Sequence, residues 1–336
     1  MNDIIIRWIQ SFGTWAPWVC LGLFLAGSLL MIWRLESLAA DGLEGTVLGT
    51  LVMPYCSGLG NLIFAFVLGR AGGDSREVLT NCLVNNVTNL TLLIGLPALI
   101  WGLSLAPKKS AKPAKGKSGG EDKHRTSRLS LLLTILAAAF FTGAAWVLGR
   151  DGVIGFNDGL VLVGIFLFWQ TFHVFEVLKS NTGSRGAFGF MFFVNVVLLL
   201  AGAYAVYLST DWLVNWVQGL HRGFISAKHL GWLSGWLMVL PNALLALYYA
   251  ARRRPEVVYS SQIGDGHICI PLCLGVFALF RPIPTPDFFA LGVWLLLGAA
   301  AVHFLFLTLF GKLPRFIGAL LVAAYGVFVW KGLGRG

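Results

Sequence analysis

Ten apolar stretches follow one another along this chain of 336 residues, each about 18 residues long or longer. Stretches of this length with few charges are typical of membrane-spanning helices, because hydrocarbon requires the backbone polar groups to be satisfied within the segment. The runs are too long and too continuous for the strands of a membrane barrel. The sequence therefore predicts helical spans at residues 16–33, 43–69, 77–105, 129–149, 158–178, 187–208, 230–251, 257–280, 286–310 and 314–331.

The composition also points to a membrane protein. Hydrophobic residues make up 57% of the chain, charged residues 12%, and the mean hydropathy is +0.77, a balance that soluble domains rarely reach. No stretch combines a charged start, a short apolar run and a small-residue cleavage site, so the first span is expected to stay in place. Tryptophans lie near predicted span ends, as interfacial aromatics do: Trp33, Trp101, Trp146, Trp212, Trp216 and Trp330.

One segment, residues 106–128, has the composition of a solvated linker. It carries eight lysines and arginines against two acids, a net +6 out of the formal +10 of the whole chain. A nucleic-acid-binding tail is conceivable, but a basic loop beside a span is far more often a topology signal that marks the cytoplasmic side. The sequence therefore predicts a cytoplasmic linker and no nucleic-acid partner.

The other loops on the same side follow this charge rule. With ten spans, they contain Lys179 with Arg185, the cluster 252–254, and Lys312 with Arg315. The loop after the first span is mixed, since Arg34 is followed by three acids, but acids have little influence on topology. We expect both termini outside, in a cell (inner) membrane.

Ten spans divide into five plus five, and an odd number of spans per half makes the two halves insert with opposite orientation. This arithmetic predicts two inverted five-helix repeats. Internal symmetry is visible: Asn61 corresponds to Asn242 at an offset of 181, and Asn85 to Asp265 at an offset of 180. The predicted organisation is 1–105 for the first three helices, 106–128 for the linker, 129–179 for helices four and five, and 180–336 for the second half.

The repeated segments resemble the cation/calcium exchanger superfamily, which includes the sodium/calcium exchangers. "SGLGNL" (57–62) and "MVLPNA" (238–243) stand where this family has its G-T-S-L-P-E-L-like motif. "TNCLVNNVTN" (80–89) and "SSQIGDGHIC" (260–269) stand where it has a G-N-x-x-G-S-N-I-x-N-like motif. The resemblance covers most of the chain, although motif identity is weak. It implies a transporter with a cation site at the midplane.

The departures from the family pattern concern charge. The resemblance places the two central calcium-binding glutamates at Asn61 and Asn242, and both are amides here. Calcium prefers several oxygen ligands including carboxylates, and an amide oxygen brings no charge. Other ligand positions implied by the resemblance fall near Ser57, Asn85, Asn89, Asp265 and Cys269, of which only Asp265 is an acid. One carboxylate suits a monovalent cation or a proton better than a divalent ion.

Several of these polar groups also have a purely structural interpretation. Asn81, Asn85 and Asn89 are spaced by four and could hydrogen-bond neighbouring helices. Asp265 is harder to explain in this way, because a carboxylate inside a span is costly and requires a partner or a function. The structural alternative for Asp265 is a bond to His267 or to a facing amide. Breaks in the helices at "SGLG" and "GDG" would add backbone carbonyls as ligands.

Two further groups remain as alternatives. His173 and Glu176 share a helix face and could relay protons, but a solvated pair of Glu176 with Lys179, one turn away, at the membrane rim is favoured. All five cysteines lie in apolar spans and are expected to be small hydrophobes. A soft-metal site at Cys269 and Cys273, with His267 and Asp265 nearby, is a minor alternative. No nucleophile elbow, P-loop or dinucleotide fingerprint occurs, so the sequence predicts no enzyme, no cofactor and no resident metal.

The sequence thus predicts a secondary active cation transporter that moves sodium or protons rather than calcium. In this hypothesis Asp265 is the sole charge, with Asn61, Asn242, Asn85, Asn89 and Ser57 as neutral ligands. Two alternatives stay open: a membrane scaffold that kept the fold without transport, and a carrier of a polar organic solute. The lipid bilayer is the other expected partner, and the oligomeric state is open.

Overall fold

The computed structural model describes residues 7–40, 53–105, 118–180 and 190–334. Almost all of them are helical. Short 3-10 turns occur at Gly13–Trp15 and Ala227–His229. The long helices are α1 (Ala16–Ala40), α2 (Met53–Arg70), α3 (Arg76–Trp101), α4 (Ser118–Gly149), α5 (Phe156–Ser180), α6 (Phe190–Gln218), α7 (Leu230–Ala251), α8 (Pro255–Ala278), α9 (Phe289–Phe310) and α10 (Arg315–Leu333).

Helices α3 and α8 share an irregularity. Each changes from α to π geometry partway along, at Thr88–Leu93 in α3 and at Cys269–Leu274 in α8, and then returns to α. The two π segments are 181 residues apart, the same offset that relates Asn61 to Asn242. Single π turns inside α-helices are frequent at functional sites.

By length and composition, seven helices within the described ranges can cross a membrane: Gly13–Leu35, Arg76–Trp101, Arg128–Gly149, Phe190–Gln218, Ala227–Ala251, Phe289–Phe310 and Arg315–Leu333. Gly58–Arg70 and Phe156–Phe172 are shorter apolar helices. The all-α polytopic fold predicted from the sequence is confirmed, whereas the count of ten spans stays a prediction.

Two small strand pairs join the two halves. They are formed by β1 (Leu103–Ser104), β2 (Val153–Ile154), β3 (Ile283–Pro284) and β4 (Lys312–Leu313). Strand β1 follows α3 and pairs antiparallel with β4, which precedes α10. Strand β3 follows α8 and pairs antiparallel with β2, which precedes α5. Corresponding strands of the two halves therefore make corresponding pairs.

These two strand pairs lie at opposite ends of the helices. Where the apolar part of α4 begins, Arg128 donates a hydrogen bond to the carbonyl of Thr308 in α9, four residues before β4. At the other end of α4 Gly149 is adjacent to Ile154 of β2. The 22 residues from Arg128 to Gly149 span about 33 Å at 1.5 Å per residue. The related strands β1 and β3 are thus on opposite sides, as inverted repeats require.

Close glycine contacts pack the two halves together. A Cβ added at Gly318 of α10 would lie 2.6 Å from the carbonyl oxygen of Gly95 in α3, and one at Gly159 of α5 would lie 2.8 Å from that of Gly275 in α8. Small residues at such crossings let helix backbones approach closely in a membrane. Since Gly95 and Gly275 are 180 residues apart, both crossings belong to the same repeated pattern.

The helix breaks expected at "SGLG" and "GDG" are absent from the described chain, and this prediction was wrong. Residues 57–60 lie inside α2 and residues 264–266 lie inside the first α segment of α8. The glycines serve packing instead. Gly58 faces Ile268, Gly60 faces Met238, and Gly266 faces the Asn86 amide oxygen, each within 2.8 Å of an added Cβ.

The predicted linker 106–128 is described only in its last part. Helix α4 begins at Ser118, so residues 118–128 are helical, and its apolar span begins at Arg128. Residues 106–117 lie outside the described residues. The predicted boundaries of the four chain segments stay predictions.

Candidate functional site

Asp265 lies near the middle of α8 and is completely buried. Among the described residues it is the only acidic side chain with no solvent exposure; Asp211, the other buried acid, retains 9% and pairs with Arg70 at 2.8 Å. Asp265 is ten residues from the start of α8, or about 15 Å along the helix axis. A carboxylate at this depth is costly unless other groups compensate its charge.

Three amides compensate that charge. Asn85 and Asn89 of α3 donate from Nδ2 to Asp265 Oδ2 at 2.6 and 2.9 Å, and Asn242 of α7 donates to the same oxygen at 3.3 Å. The two shorter bonds are in the range of charge-assisted hydrogen bonds. Two side chains of α3 and one of α7 therefore converge on one carboxylate oxygen of α8. This is the facing-amide arrangement that the sequence offered as the structural alternative for Asp265.

The contacts between α3 and α8 are reciprocal. Asn85 corresponds to Asp265, and Asn89 corresponds to Cys269, each at an offset of 180. Asn89 bonds Asp265, and the mirrored pair also exists, since Asn85 Nδ2 lies 3.2 Å from Cys269 Sγ. The cluster therefore sits where the two repeats cross, at the pseudo-symmetry axis.

Asn61 and Asn242 occupy corresponding places on α2 and α7, both essentially buried. The backbone carbonyl of Asn61 accepts from Cys273 Sγ at 3.5 Å, and that of Asn242 accepts from Gln262 Nε2 at 3.2 Å. Both helices are thus tied to α8, α7 at Gln262 three residues before Asp265 and α2 at Cys273 eight residues after it. The side chains differ, because Asn242 reaches Asp265 whereas neither amide atom of Asn61 has a hydrogen-bond partner in the described chain.

Several buried amide oxygens around this cluster accept no hydrogen bond from a described residue. They belong to Asn61, Asn85, Asn89 and Gln262. A buried acceptor without a partner costs about 1–3 kcal/mol. Asn85 and Asn89 bond Asp265, and Gln262 bonds the backbone of Asn242. The oxygens of these three side chains at the cluster therefore indicate a site for a ligand or for water. Oxygen atoms of this kind are the ligands that hard cations take.

A small cavity borders the cluster at Asn242. It has a volume of about 10 Å³ and is lined mainly by α1, α2 and α7, including Ser28, Gly60, Met238 and Pro241. That volume is close to the minimum for one water molecule. In this conformation the space beside Asn242 suits a small ion or a water, not an organic molecule.

Two asparagines of α3 point away from the site. Asn81 donates to Ser234 Oγ at 3.0 Å, and Asn86 donates to the carbonyl of Cys82 in its own helix at 2.7 Å. From their spacing by four, Asn81, Asn85 and Asn89 were expected on one helix face, where they could hydrogen-bond neighbouring helices. Asn81 has this structural role, because it bonds Ser234 of α7. Asn85 and Asn89 reach Asp265 instead.

The alternative soft-metal site finds no support. His267 Nε2 lies 2.9 Å from the carbonyl oxygen of Thr134. Cys269 faces Asn85, while Cys273 faces Asn61. Within the described residues no group of three or more histidines, cysteines and acids is arranged to hold a metal ion.

Three predicted residues lie outside the described side chains: Ser57, His173 and Glu176. Their roles stay predictions. Sequence reasoning in turn missed Gln262, which is fully buried one turn before Asp265 and bonds the backbone of Asn242. The signal was present, because an amide in an apolar span, three residues before the acid, shares its helix face.

The fold is similar to solved structures of the sodium-calcium exchanger NCX_Mj. For the exchanger soaked with 2.5 mM Na⁺ and 1 mM Sr²⁺, the TM-score is 0.65 at 20% identity, covering 93% of this chain and 96% of that one. For the exchanger soaked with zero Na⁺ and Ca²⁺, the TM-score is 0.60 at 22% identity, covering 92% and 94%. At this identity the likeness shows the fold alone.

Sequence comparison gives the family. No curated protein sequence matches the chain. The family model described as "Sodium/calcium exchanger protein" matches residues 13–175 and 194–331, one range in each predicted half. Together these ranges cover most of the chain, including every residue of the cluster around Asp265. The chain therefore belongs to the sodium/calcium exchanger family.

Proposed function

We propose that this exchanger-family protein is a secondary active transporter of a monovalent cation, sodium or a proton, rather than of calcium. The observation that carries the proposal is the charge of the site: one fully buried carboxylate, Asp265, among amides. A divalent ion bound there would keep an uncompensated positive charge in a low-dielectric environment. A monovalent cation or a proton would be balanced.

The amides supply the remaining ligands in this proposal. In the described conformation Asn85, Asn89 and Asn242 turn their NH₂ groups toward Asp265, so their dipoles stand in for a cation. Rotation of these side chains would present amide oxygens to an ion at Asp265, together with the unpartnered oxygen of Asn61. Cation binding and the three N–H bonds are then mutually exclusive. In this proposal the site alternates between a state with the three N–H bonds to Asp265 and a state with a cation bound at Asp265.

A carrier of a polar organic solute is less well supported. The cavity beside Asn242 has a volume of about 10 Å³, whereas sites for small organic molecules commonly have about 300–1,000 Å³. A scaffold without transport remains the main alternative, because the three amide bonds to Asp265 would also serve a purely structural role.

Ion-dependent thermal stability separates the transporter from the scaffold. A ligand bound only by the folded state raises the melting temperature, so sodium should stabilise the purified protein in detergent. Protons compete for the same carboxylate, and the sodium effect should weaken as pH falls. Asp265→Asn should remove both the sodium effect and its pH dependence. Asp74→Asn, at an exposed acid, is the matched control and should retain both.

Flux measurements complete the test. In proteoliposomes the parent should take up radioactive sodium when a proton or sodium gradient is imposed, and Asp265→Asn should not. A parent protein with no ion-dependent shift in melting temperature and no flux would contradict the proposal and favour the scaffold.

A further inference from the structure

A groove on the membrane-facing surface, far larger than the cavity at Asn242, lies between α1 and α7. Its volume is about 470 Å³, within the range usual for small-molecule sites. Its lining is almost entirely apolar: Ala26, Leu29, Leu30, Ile32, Trp33, Leu245, Tyr248 and Tyr249. A groove with this lining between two membrane helices suits an acyl chain.

An arginine guanidinium contacts the ring of each of the three aromatic residues of the groove. The Arg34 guanidinium lies 3.9 Å from the ring centre of Trp33, Arg252 lies 5.0 Å from that of Tyr248, and Arg254 lies 5.4 Å from that of Tyr249. These distances are those of cation–π contacts. The aromatic end of the groove is therefore positively charged.

The described side chains include one acid that pairs with these arginines. Among the described side chains, Arg254 Nε is 3.7 Å from Glu256 in an exposed pair, which is worth little in water. Arg34 Nη1 donates to a neutral partner, Asn195, at 3.4 Å. Glu36, Asp41 and Glu44, which follow Arg34 in the sequence, lie outside the described side chains.

The backbone of Arg253, between the two arginines of the cluster that contact tyrosines, is in an unusual conformation. Its φ is +55°, and it is the one non-glycine residue with positive φ in the described chain. The position just after a helix end in this conformation usually holds glycine. An arginine here keeps three consecutive guanidinium groups at the end of α7, despite a backbone cost.

The arginine end of the groove lies on the side of the membrane that is predicted to be cytoplasmic. The starts of α3 and α7 lie side by side, since the Gly231 amide donates to Glu77 at 2.5 Å, and Asn81 bonds Ser234 one turn further along. The two helices therefore run parallel, and α7 ends on the same side as β1. That is the side of the basic linker, predicted to be cytoplasmic, where anionic lipids concentrate.

We infer that this groove binds an anionic phospholipid. The acyl chain would lie along Ala26, Leu30 and Leu245, and the phosphate would contact Arg252 and Arg254, with Arg34 as a third cation. Ile32 lines both the groove and the cavity at Asn242, so the bound lipid would brace the wall that separates the cation site from the bilayer. The binding claim does not depend on which ion is transported.

Native mass spectrometry of the purified full chain tests the inference. Phosphatidylglycerol should be retained at least about tenfold more strongly than phosphatidylcholine, and Arg252→Gln with Arg254→Gln should abolish the difference. Arg150→Gln with Arg222→Gln, exposed arginines at the opposite end, is the charge-matched control and should preserve it. Equal retention of the two lipids by the parent would overturn the inference.

The acyl-chain part has its own test. Ala26→Phe should fill the groove and reduce phosphatidylglycerol retention, whereas Gly22→Phe, one turn earlier on α1 where an added Cβ meets nothing within 4 Å, should not. Phosphatidylglycerol should raise the melting temperature of the parent, and inorganic phosphate should not. If phosphate alone reproduces the increase, or if a lipid-independent dimer forms that Ala26→Phe disrupts, the occupant is not a phospholipid and the inference is wrong.

Discussion

Asn85 and Asp265, 180 residues apart in the sequence, are joined by a 2.6 Å hydrogen bond from Nδ2 to Oδ2 in the core of the protein. They occupy corresponding positions in the two repeats, one as an amide and the other as an acid. Had both been acids, two like charges would be buried in contact, and one would have to bind a proton or a cation. The amide–acid pair leaves a single charge for the ligand to balance.

The hydrogen bonds to Asp265 predict different outcomes for two substitutions. Asp265→Leu removes the acceptor shared by Asn85, Asn89 and Asn242, and each stranded buried donor costs roughly 1–3 kcal/mol. Asp265→Asn retains an oxygen that can accept and removes a costly buried charge. We expect the melting temperature in detergent to fall strongly for Asp265→Leu and to stay near or above that of the parent for Asp265→Asn.

A reversal of that order would contradict the site as described. If Asp265→Asn melts as low as Asp265→Leu while sodium has no effect on the parent, the negative charge itself is structural. The proposed function would then lose its main support.

Calcium binding should depend on the two positions where the family has glutamates. The parent protein should bind no calcium at micromolar concentration, because the site has one carboxylate. Asn61→Glu with Asn242→Glu should create calcium binding, at some cost in stability from two added buried acids. Isothermal titration of the purified proteins measures both.

Asn81→Glu provides a matched control for calcium. It also adds a buried acid to the membrane core, but at a residue that faces Ser234 and not Asp265, so it should not create calcium binding. Tight calcium binding by the parent would show that the assignment of Asn61 and Asn242 to the ligand positions is wrong.

The charge distribution predicts the topology. Position 115, in the basic linker, should face the cytoplasm, and position 222, in the segment between α6 and α7, should face the opposite side. Single cysteines at these positions on a cysteine-free background, labelled with a membrane-impermeant reagent, give the answer. Labelling of both positions from the same side would exclude the five-plus-five arrangement.

The sequence was most informative where the repeats could be compared. The 180-residue offset between Asn85 and Asp265 led to a shared site, and the structure brings the two side chains into contact. The single acid at the site, Asp265, and the amides at the two motif positions, Asn61 and Asn242, could also be identified from the sequence alone. These features depend on the order of residues along helices, which apolar periodicity and internal symmetry reveal.

Contacts that depend on helix rotation and approach were not predictable in the same way. Glycines at "SGLG" and "GDG" were interpreted as breaks, but Gly58 and Gly266 are close-packing positions, and only the neighbouring helix distinguishes the two roles. Similarly, the sequence offered His267 and a facing amide as partners for Asp265, and only the helix arrangement shows that three amides reach its Oδ2. The two π segments, Thr88–Leu93 and Cys269–Leu274, were not predicted from the sequence.

The glycine crossing between α3 and α10 gives a prediction with a control on the same helix. Gly318→Ala would place a Cβ 2.6 Å from the Gly95 carbonyl oxygen and from the Leu99 amide nitrogen, both backbone atoms that cannot move aside alone. Overpacking of this kind typically costs about 1–3 kcal/mol, more than the roughly 0.5–1 kcal/mol gained when alanine replaces glycine inside a helix.

Gly326→Ala, eight residues later on α10, is the control: its added Cβ meets nothing within 4 Å, and the substitution should be neutral or stabilising. Melting temperatures of the two variants in detergent should therefore fall on opposite sides of the parent or, at the least, differ with Gly318→Ala lower. Equal melting temperatures of the two variants would mean that α3 and α10 do not cross at Gly95 and Gly318. The crossing of α5 and α8 at Gly159 and Gly275 would then have no counterpart in the other half.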